Sequence, residues 1–441
     1  MFDLILDSVE DFHTVGERRL HRIFGGLKAN SFGGWGWSMI FMCMIAYFIG
    51  GGINTDGLNI FVGALSGARG WDRAAMLSWS TYGGWIAILF TFIFGHIIVK
   101  KGAKVVFVGT LFLTAIAIYF YGHTQNFAVY AISVAACSIL SAGYSLTAPN
   151  TIQANWFPRK KGLALGWSTI GYPLCTMIFP FVTNFLMGNF GVESMFTAIA
   201  VFVLIFAVIS IFWCKNTPEE VGRAPDNDPL SAEEIKASQA AARAYKSPWT
   251  MKRLLKTPQT WLIGIGMGLL WMVTVAIVSQ LVSRLMGAGY ERTAAVGMLS
   301  VMGFFGIFGS YIWGFIDLKI GTRKATYIYA AWYAVALLLL IFMANTVTIY
   351  LGVFMVGISV GGICNLIPSM IGSVFGRYDF AAASRFISAV TKGICACAYL
   401  YNAQSLKLTG SLTAGYVGLI VLCGVAALLV FLIKPVVKPQ N

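Results

Sequence analysis

Gly95-His-Ile-Ile-Val-Lys-Lys-Gly102-Ala-Lys104 and Gly314-Phe-Ile-Asp-Leu-Lys-Ile-Gly321-Thr-Arg-Lys324 are two versions of one pattern, glycines seven apart followed by cations, at an offset of 219 residues. A second echo, Phe157-Pro-Arg159 against Phe375-Gly-Arg377, recurs at an offset of 218. A short polar loop collects glycine and lysine in any membrane protein, but two matches at nearly one spacing point to a chain of two related halves. Tight glycine turns let neighbouring helices approach, and cations suit an anionic headgroup region. Gly95, Gly102, Gly314, Asp317, Gly321, Arg159 and Arg377 are therefore expected as hinge or gate positions.

Both glycine patterns follow long apolar runs. Of the 441 residues 58% are hydrophobic and 11% charged, whereas a soluble domain carries about 25% charge. A bilayer core about 30 Å thick needs roughly 20 apolar residues per helix. Twelve such spans fit the chain: 36–62, 77–99, 104–122, 127–152, 163–187, 194–214, 259–286, 294–318, 324–344, 347–372, 381–406 and 412–434. The expected fold is an all-α membrane protein, twelve transmembrane helices in two pseudo-symmetric six-helix bundles. Its divisions are an N-terminal cytoplasmic segment 1–35, a first bundle 36–214, a linker 215–258, a second bundle 259–434 and a cytoplasmic tail 435–441. Within the linker, Ser231-Ala-Glu-Glu has the form of a capping box and predicts a short surface helix.

The formal charge of +14 raises nucleic acid as a partner, but the distribution of the 31 Lys and Arg gives another explanation. With the N-terminus inside, 25 fall at cytoplasmic positions and five (Arg69, Arg73, Arg284, Arg292, Lys407) outside. This bias predicts a multi-pass protein of the cell (inner) membrane with both termini cytoplasmic and no nucleic-acid partner. The lipid bilayer and a small solute are its expected partners, protons a further one, and a monomer suffices.

Residues 1–35 lack the apolar core and cleavage site of a signal peptide. Phe2, Leu6, Val9 and Phe12 there fit a surface helix lying on lipid, or a solvated tail. The eight cysteines lie in or at the ends of spans and read as small apolar residues. No HExxH, Walker loop, GxSxG or cofactor motif occurs, so neither an enzyme nor a bound metal or cofactor is expected.

Two stretches carry a resemblance. Gly33-Gly34-Trp35-Gly36-Trp37, leading into span 1, resembles a signature of monocarboxylate transporters in the major facilitator superfamily. Trp156-Phe157-Pro158-Arg159-Lys160-Lys161-Gly162-Leu163-Ala164-Leu165-Gly166 resembles that group's second signature and its bacterial relatives, the oxalate/formate antiporters. Gly70-Trp71-Asp72-Arg73-Ala74 and Asn216-Thr217-Pro218-Glu219-Glu220-Val221-Gly222 look similar as well. The chain departs from the family pattern at Phe32 and Val99, where acids are usual, and Asp317 sits one place early.

Lys392 lies about eleven residues into span 11, near the bilayer midplane. A charge there costs about 2.5–3.5 kcal/mol on insertion scales, so it should face a wet cavity or a partner. The resemblance implies that Lys392 holds a substrate carboxylate, as a span 11 lysine does in the antiporters. The alternatives are a structural pairing with a carbonyl or Asp56, or a shifted span. Those antiporters add an arginine in span 8, but 294–318 contains no Arg or Lys. One cation matches one carboxylate, so a monocarboxylate or a large amphiphilic acid is expected instead of oxalate.

Asp56 is the other acid well inside a span. In apolar surroundings a carboxyl group binds its proton more tightly than in water, which suits proton coupling; a solvated helix end is the alternative. Tyr144, Tyr172, Asn54, Trp167, Trp271 and Asn365, with Tyr47, Tyr82 and Gln280, are the expected cavity wall, because rings enclose an organic body and amides or hydroxyls hold a carboxylate. His96 reads as a hydrogen-bonding hinge residue. Arg284, Glu291 and Arg292 either steer anions or are solvated. The functional expectation is a secondary active transporter of a carboxylate-bearing organic anion, working by proton symport or anion exchange. A drug or metabolite exporter of the same fold would want a midplane acid more than a lysine, and a membrane sensor would carry a signalling domain.

Overall fold

The computed structural model describes residues 31–245, 247–342 and 345–434. The surface helix expected near the N-terminus and the tail 435–441 lie outside the described residues. Helices account for every membrane-length element among those described. Span 1 runs Gly33–Asp56 and resumes as Leu58–Arg69, and spans 2 to 6 are Arg73–Lys101, Ala103–His123, Phe127–Trp156, Lys161–Phe190 and Val192–Trp213. Spans 7 to 9 are Pro258–Gly287, Arg292–Ile320 and Thr322–Phe342, and span 12 is Leu412–Phe431. Between them Thr346–Thr409 is a single helical run of 64 residues. Straight, it would extend about 96 Å, some three bilayer cores. Gly376 breaks it, with φ 77° and ψ −178°, so span 10 ends at Phe375 and span 11 starts at Arg377.

The repeat is more regular in the backbone than in the letters. Gly102 and Gly321 both have positive φ, 87° and 83°. Gly70 and Gly289, at 68° and 93°, and Gly191 and Gly410, at 86° and 66°, form two further pairs at the same offset of 219. A residue with a Cβ rarely adopts that conformation, so one set of inter-helix turns has been kept twice.

Apolar side chains form two cores. One gathers buried residues from Phe32 to Cys214, and the other runs from Trp249 to Ile433 and takes in Ala154 of span 4. Phe181, Phe212, Phe342 and Leu408 remain exposed, as side chains that face hydrocarbon should.

The linker differs from the expected polar tether, because it is packed. Ser231 caps Ala232–Ala244 reciprocally with Glu234, as the motif predicts. Before it, Asp226 is buried and accepts hydrogen bonds from the backbone N–H groups of Arg159 (3.0 Å) and Lys160 (2.9 Å). Arg159 also pairs with Asp226 and Asp228 through its guanidinium. Asn216 accepts from Lys104 N, and Trp156 Nε1 donates to Lys215 O. The end of the molecule carrying these loops is called the linker face below. Asp226→Ala would leave two N–H donors of the 4–5 loop without their acceptor, each worth about 1–3 kcal/mol when buried. The expected result is a fall of several degrees in the melting midpoint of the detergent-solubilised protein, read by thermal-shift fluorescence.

Candidate functional site

Spans 1 and 4 cross where both helices loosen. Gly52–Asp56 and Gly143–Thr147 are π-helical turns, a one-residue insertion that is frequent at functional sites. The crossing is close, since a Cβ on Gly50 would lie 2.5 Å from that of Ser145. Neither insertion was read from the sequence.

Beside this crossing lies a cavity between the two halves. Tyr47, Leu146, Asn150 and Tyr172 line it from one side, and Trp271, Cys364, Ile367, Pro368, Ser388 and Thr391 from the other. The cavity is narrow in this conformation. Tyr47 donates its hydroxyl hydrogen to Asn150 Oδ1 (2.7 Å), and Tyr172 donates to Ser145 O (2.9 Å). Thr391 Oγ1 donates to its own helix at Ile387 O (2.8 Å), and Ser388 shares a hydrogen bond with Ser384. Among the described residues no acid lines the cavity.

Lys392 follows Thr391 and stands one turn beyond Ser388, two residues of the cavity wall. It is partly buried, and among the described residues its ammonium group has neither a hydrogen-bond acceptor nor an ion-pair partner. The structural pairing with Asp56 is absent. Asp56 ends the span 1 π turn and accepts a hydrogen bond from Thr176 Oγ1 of span 5 (3.0 Å).

The remaining expected wall residues are dispersed. Tyr144 is buried in the span 4 π turn, its hydroxyl without a partner among the described residues. Asn54 donates to Gly50 O in its own helix (3.2 Å). Asn365 is buried between spans 10 and 8 and donates to Ser310 O (2.8 Å). Tyr82 is about half exposed. Trp167 meets Trp37 edge to face and, across the halves, packs at a tilt against Tyr311 (5.0 Å between centroids), so it belongs to the contact on the linker side of the cavity. Arg284 caps span 9 through Leu340 O and Ile341 O. Asn150, Cys364 and Ser388 were missed. A signal for Asn150 existed: it follows Pro149, whose counterpart at offset 219 is Pro368 of the cavity wall.

The expected hinge residues gather at the linker face, where the halves meet twice. Span 2 touches span 11 at Gly95, whose added Cβ would lie 3.0 Å from the Cα of Arg385. Span 8 touches span 5 at Gly314, whose Cβ would lie 3.0 Å from the Cα of Gly166. Asp317 packs against Gly162 of span 5, its carboxylate accepting from Thr322 Oγ1 (2.6 Å) and Ser369 Oγ. Glu219 of the linker pairs with Arg377 at 2.8 Å, the two side chains 1% and 9% exposed. Ser238 steadies the same carboxylate. Tyr245 donates to Asp379, both oxygens at 2.9 Å. Burial, then that carboxylate, push the Tyr245 phenol up to about 12, so it stays a donor at neutral pH.

The sequence pattern of the Major Facilitator Superfamily matches residues 36–398. An uncharacterized MFS-type transporter of Escherichia coli strain K12, YhjX, is 23% identical over 291 residues, covering 64% of this chain and 67% of that protein. Among solved structures, the MFS proton:xylose symporter XylE bound to 6-bromo-6-deoxy-D-glucose superposes with a TM-score of 0.69 at 13% identity, over 90% of this chain and 96% of that one. The human organic anion transporter MFSD10 (TETRAN) gives 0.66 at 15% identity, over 89% and 98%. At such identities the two structures speak for the fold alone.

Because the first part of the linker is fastened to the N-terminal half, Glu219 and Arg377 join the halves and must part before the linker face opens. A hydrogen bond to a charged group is worth about 1.5–3 kcal/mol. Glu219→Gln is expected to raise hydrogen exchange of peptides spanning 157–166 and 310–321 by roughly tenfold, measured by mass spectrometry.

Proposed function

We propose that this chain, which belongs to the Major Facilitator Superfamily and is a multi-pass membrane transporter, moves a carboxylate-bearing organic anion, in the simplest case a monocarboxylate, by alternating access. The observation that carries this reading is the unpartnered Lys392 beside the inter-half cavity. An ammonium group away from water needs a counter-charge, and no protein carboxylate among the described residues supplies one. An anionic substrate does. The structurally similar proteins are a proton:xylose symporter and an organic anion transporter, so fold leaves cargo open and the cation decides it. Span 8 offers no second cation, which favours one carboxylate over two.

In this conformation the linker face is closed by the Gly95–Arg385 and Gly314–Gly166 contacts. The excess of cations on the linker side supports a cytoplasmic position for that face and both termini, in a cell (inner) membrane. The two-half design works as a monomer. Opening the linker face requires the Gly95–Arg385 and Gly314–Gly166 contacts and the Glu219–Arg377 pair to separate while the opposite side closes. Asp56, held by Thr176 at the span 1–span 5 contact, is the group we assign to proton coupling if transport is symport; with exchange it remains structural.

Two measurements test these roles. Lys392→Ala should weaken carboxylate binding at least tenfold in thermal-shift titrations while leaving the melting midpoint of the empty protein within a few degrees; unchanged affinity would refute the organic-anion reading. Asp56→Asn should abolish uphill uptake driven by an inward proton gradient in proteoliposomes while counter-exchange persists. Equal losses in both assays would remove Asp56 from coupling.

A further inference from the structure

We infer that Tyr47 is a positioning residue that fixes the side-chain amide of Asn150, so that the cavity offers its ligand amide N–H and withholds the amide carbonyl. The inference rests on the organic-anion reading of this cavity and adds how the site tells a carboxylate from a neutral amide of the same shape.

A carboxamide presents an acceptor on one edge and two donors on the other. Half a turn of its terminal torsion exchanges them. Unfixed, Asn150 could serve a donor or an acceptor equally well and would discriminate little. Tyr47 removes that freedom, because its hydroxyl donates to Asn150 Oδ1 at 2.7 Å. With the amide turned over, the tyrosine oxygen could accept from the N–H group, but the phenolic hydrogen would lose the sole acceptor it has among the described residues. Both residues are buried, 2% and 5% exposed, where an unpaired donor is unfavourable.

The tyrosine is itself held. Its ring lies 5.1 Å from that of Tyr172, whose hydroxyl is fastened to Ser145 O. Ser145 belongs to the same span 4 π turn that leads into Asn150. Asn150 therefore faces the cavity with Nδ2 unspent, and the indole N–H of Trp271 on the opposite wall is unspent as well among the described residues. One donor on each wall, with Lys392 next to the lining residue Thr391, rewards a group able only to accept. An ionised carboxylate fits; a primary amide brings N–H groups of its own for which the fixed amide offers no carbonyl.

The test compares lactate with lactamide and benzoate with benzamide on the full-length protein, by isothermal titration of wild type, Tyr47→Phe, Asn150→Leu and the double variant. Tyr47→Phe keeps the ring and removes the hydroxyl. Wild type should prefer carboxylate over amide at least tenfold, and Tyr47→Phe should shrink that ratio about tenfold, largely by gaining amide affinity. In the Asn150→Leu background the same tyrosine change should leave the ratio where it was, since Tyr47 acts through Asn150. An unchanged ratio in Tyr47→Phe overturns the inference, and an equal shift in the Asn150→Leu background overturns it in favour of direct contact. If Tyr47→Phe does not fold, Asn150→Asp carries the test: an acceptor-only side chain there should abolish carboxylate binding, and retained binding overturns the inference. Wild type binding neither acid would sink the organic-anion reading itself, a result separable from all of these.

Discussion

Everything described at the linker face depends on two helix crossings close enough to exclude a side chain. Gly95 meets Arg385 and Gly314 meets Gly166, each at 3.0 Å between an added Cβ and the facing Cα. The glycines differ by 219 residues, and so do their partners. The same contact has therefore been made twice, once by each half reaching into the other. Two equivalent contacts on opposite sides of a pseudo-axis hold the halves against rocking more firmly than one could. In the proposed alternating access they part together, because rigid bodies of packed helices move as units and not by local bending.

The linker adds an electrostatic lock to this steric one. Its acids meet both of the repeat-related arginines, Asp226 and Asp228 taking Arg159 and Glu219 taking Arg377. The two pairings are not equal. Arg159 is 69% exposed at the side chain, and its pairing with acids on the same half contributes little. Arg377 is nearly buried against a buried glutamate, so separating it exposes charges that the closed state had desolvated. Water refills those shells once the face opens, which keeps the lock reversible.

Much of the fold was legible because hydrophobic length and glycine turns are local properties. Span count, the Ser231 cap and the Gly102–Gly321 pair follow from a few neighbouring residues. The cavity was less so. Tyr47, Tyr172 and Trp271 line it as expected, but Tyr144, Asn54, Trp167 and Asn365 are equally polar or aromatic residues inside spans and sit elsewhere. Which side of a helix faces a gap depends on its rotation, and the π turns at Gly52–Asp56 and Gly143–Thr147 each add about 100° of it. No letter in the sequence announces such an insertion. The packing of the linker was not legible for a related reason, since nothing in the letters around Glu219 and Asp226 shows which half is brought against them.

The π turns also explain why a symmetric frame holds an asymmetric site. Tyr172 and Thr391 are related by the 219 offset, as are Pro149 and the cavity-lining Pro368. Those pairs keep the two walls in register. The polar chemistry breaks the relation: Lys392 corresponds to Pro173, and Asn150 to Ser369, which donates to the Asp317 carboxylate at the linker face. Both π turns lie in the first half, so the amide with its tyrosine sits on one wall, and the cation belongs to the other half, next to the lining residue Thr391. A ligand that touches both must bridge the halves, and its affinity then depends on how far apart they are. In the alternating access proposed for this chain, that dependence couples binding to a change of access: a substrate gripping only one half would ride with it and favour neither state.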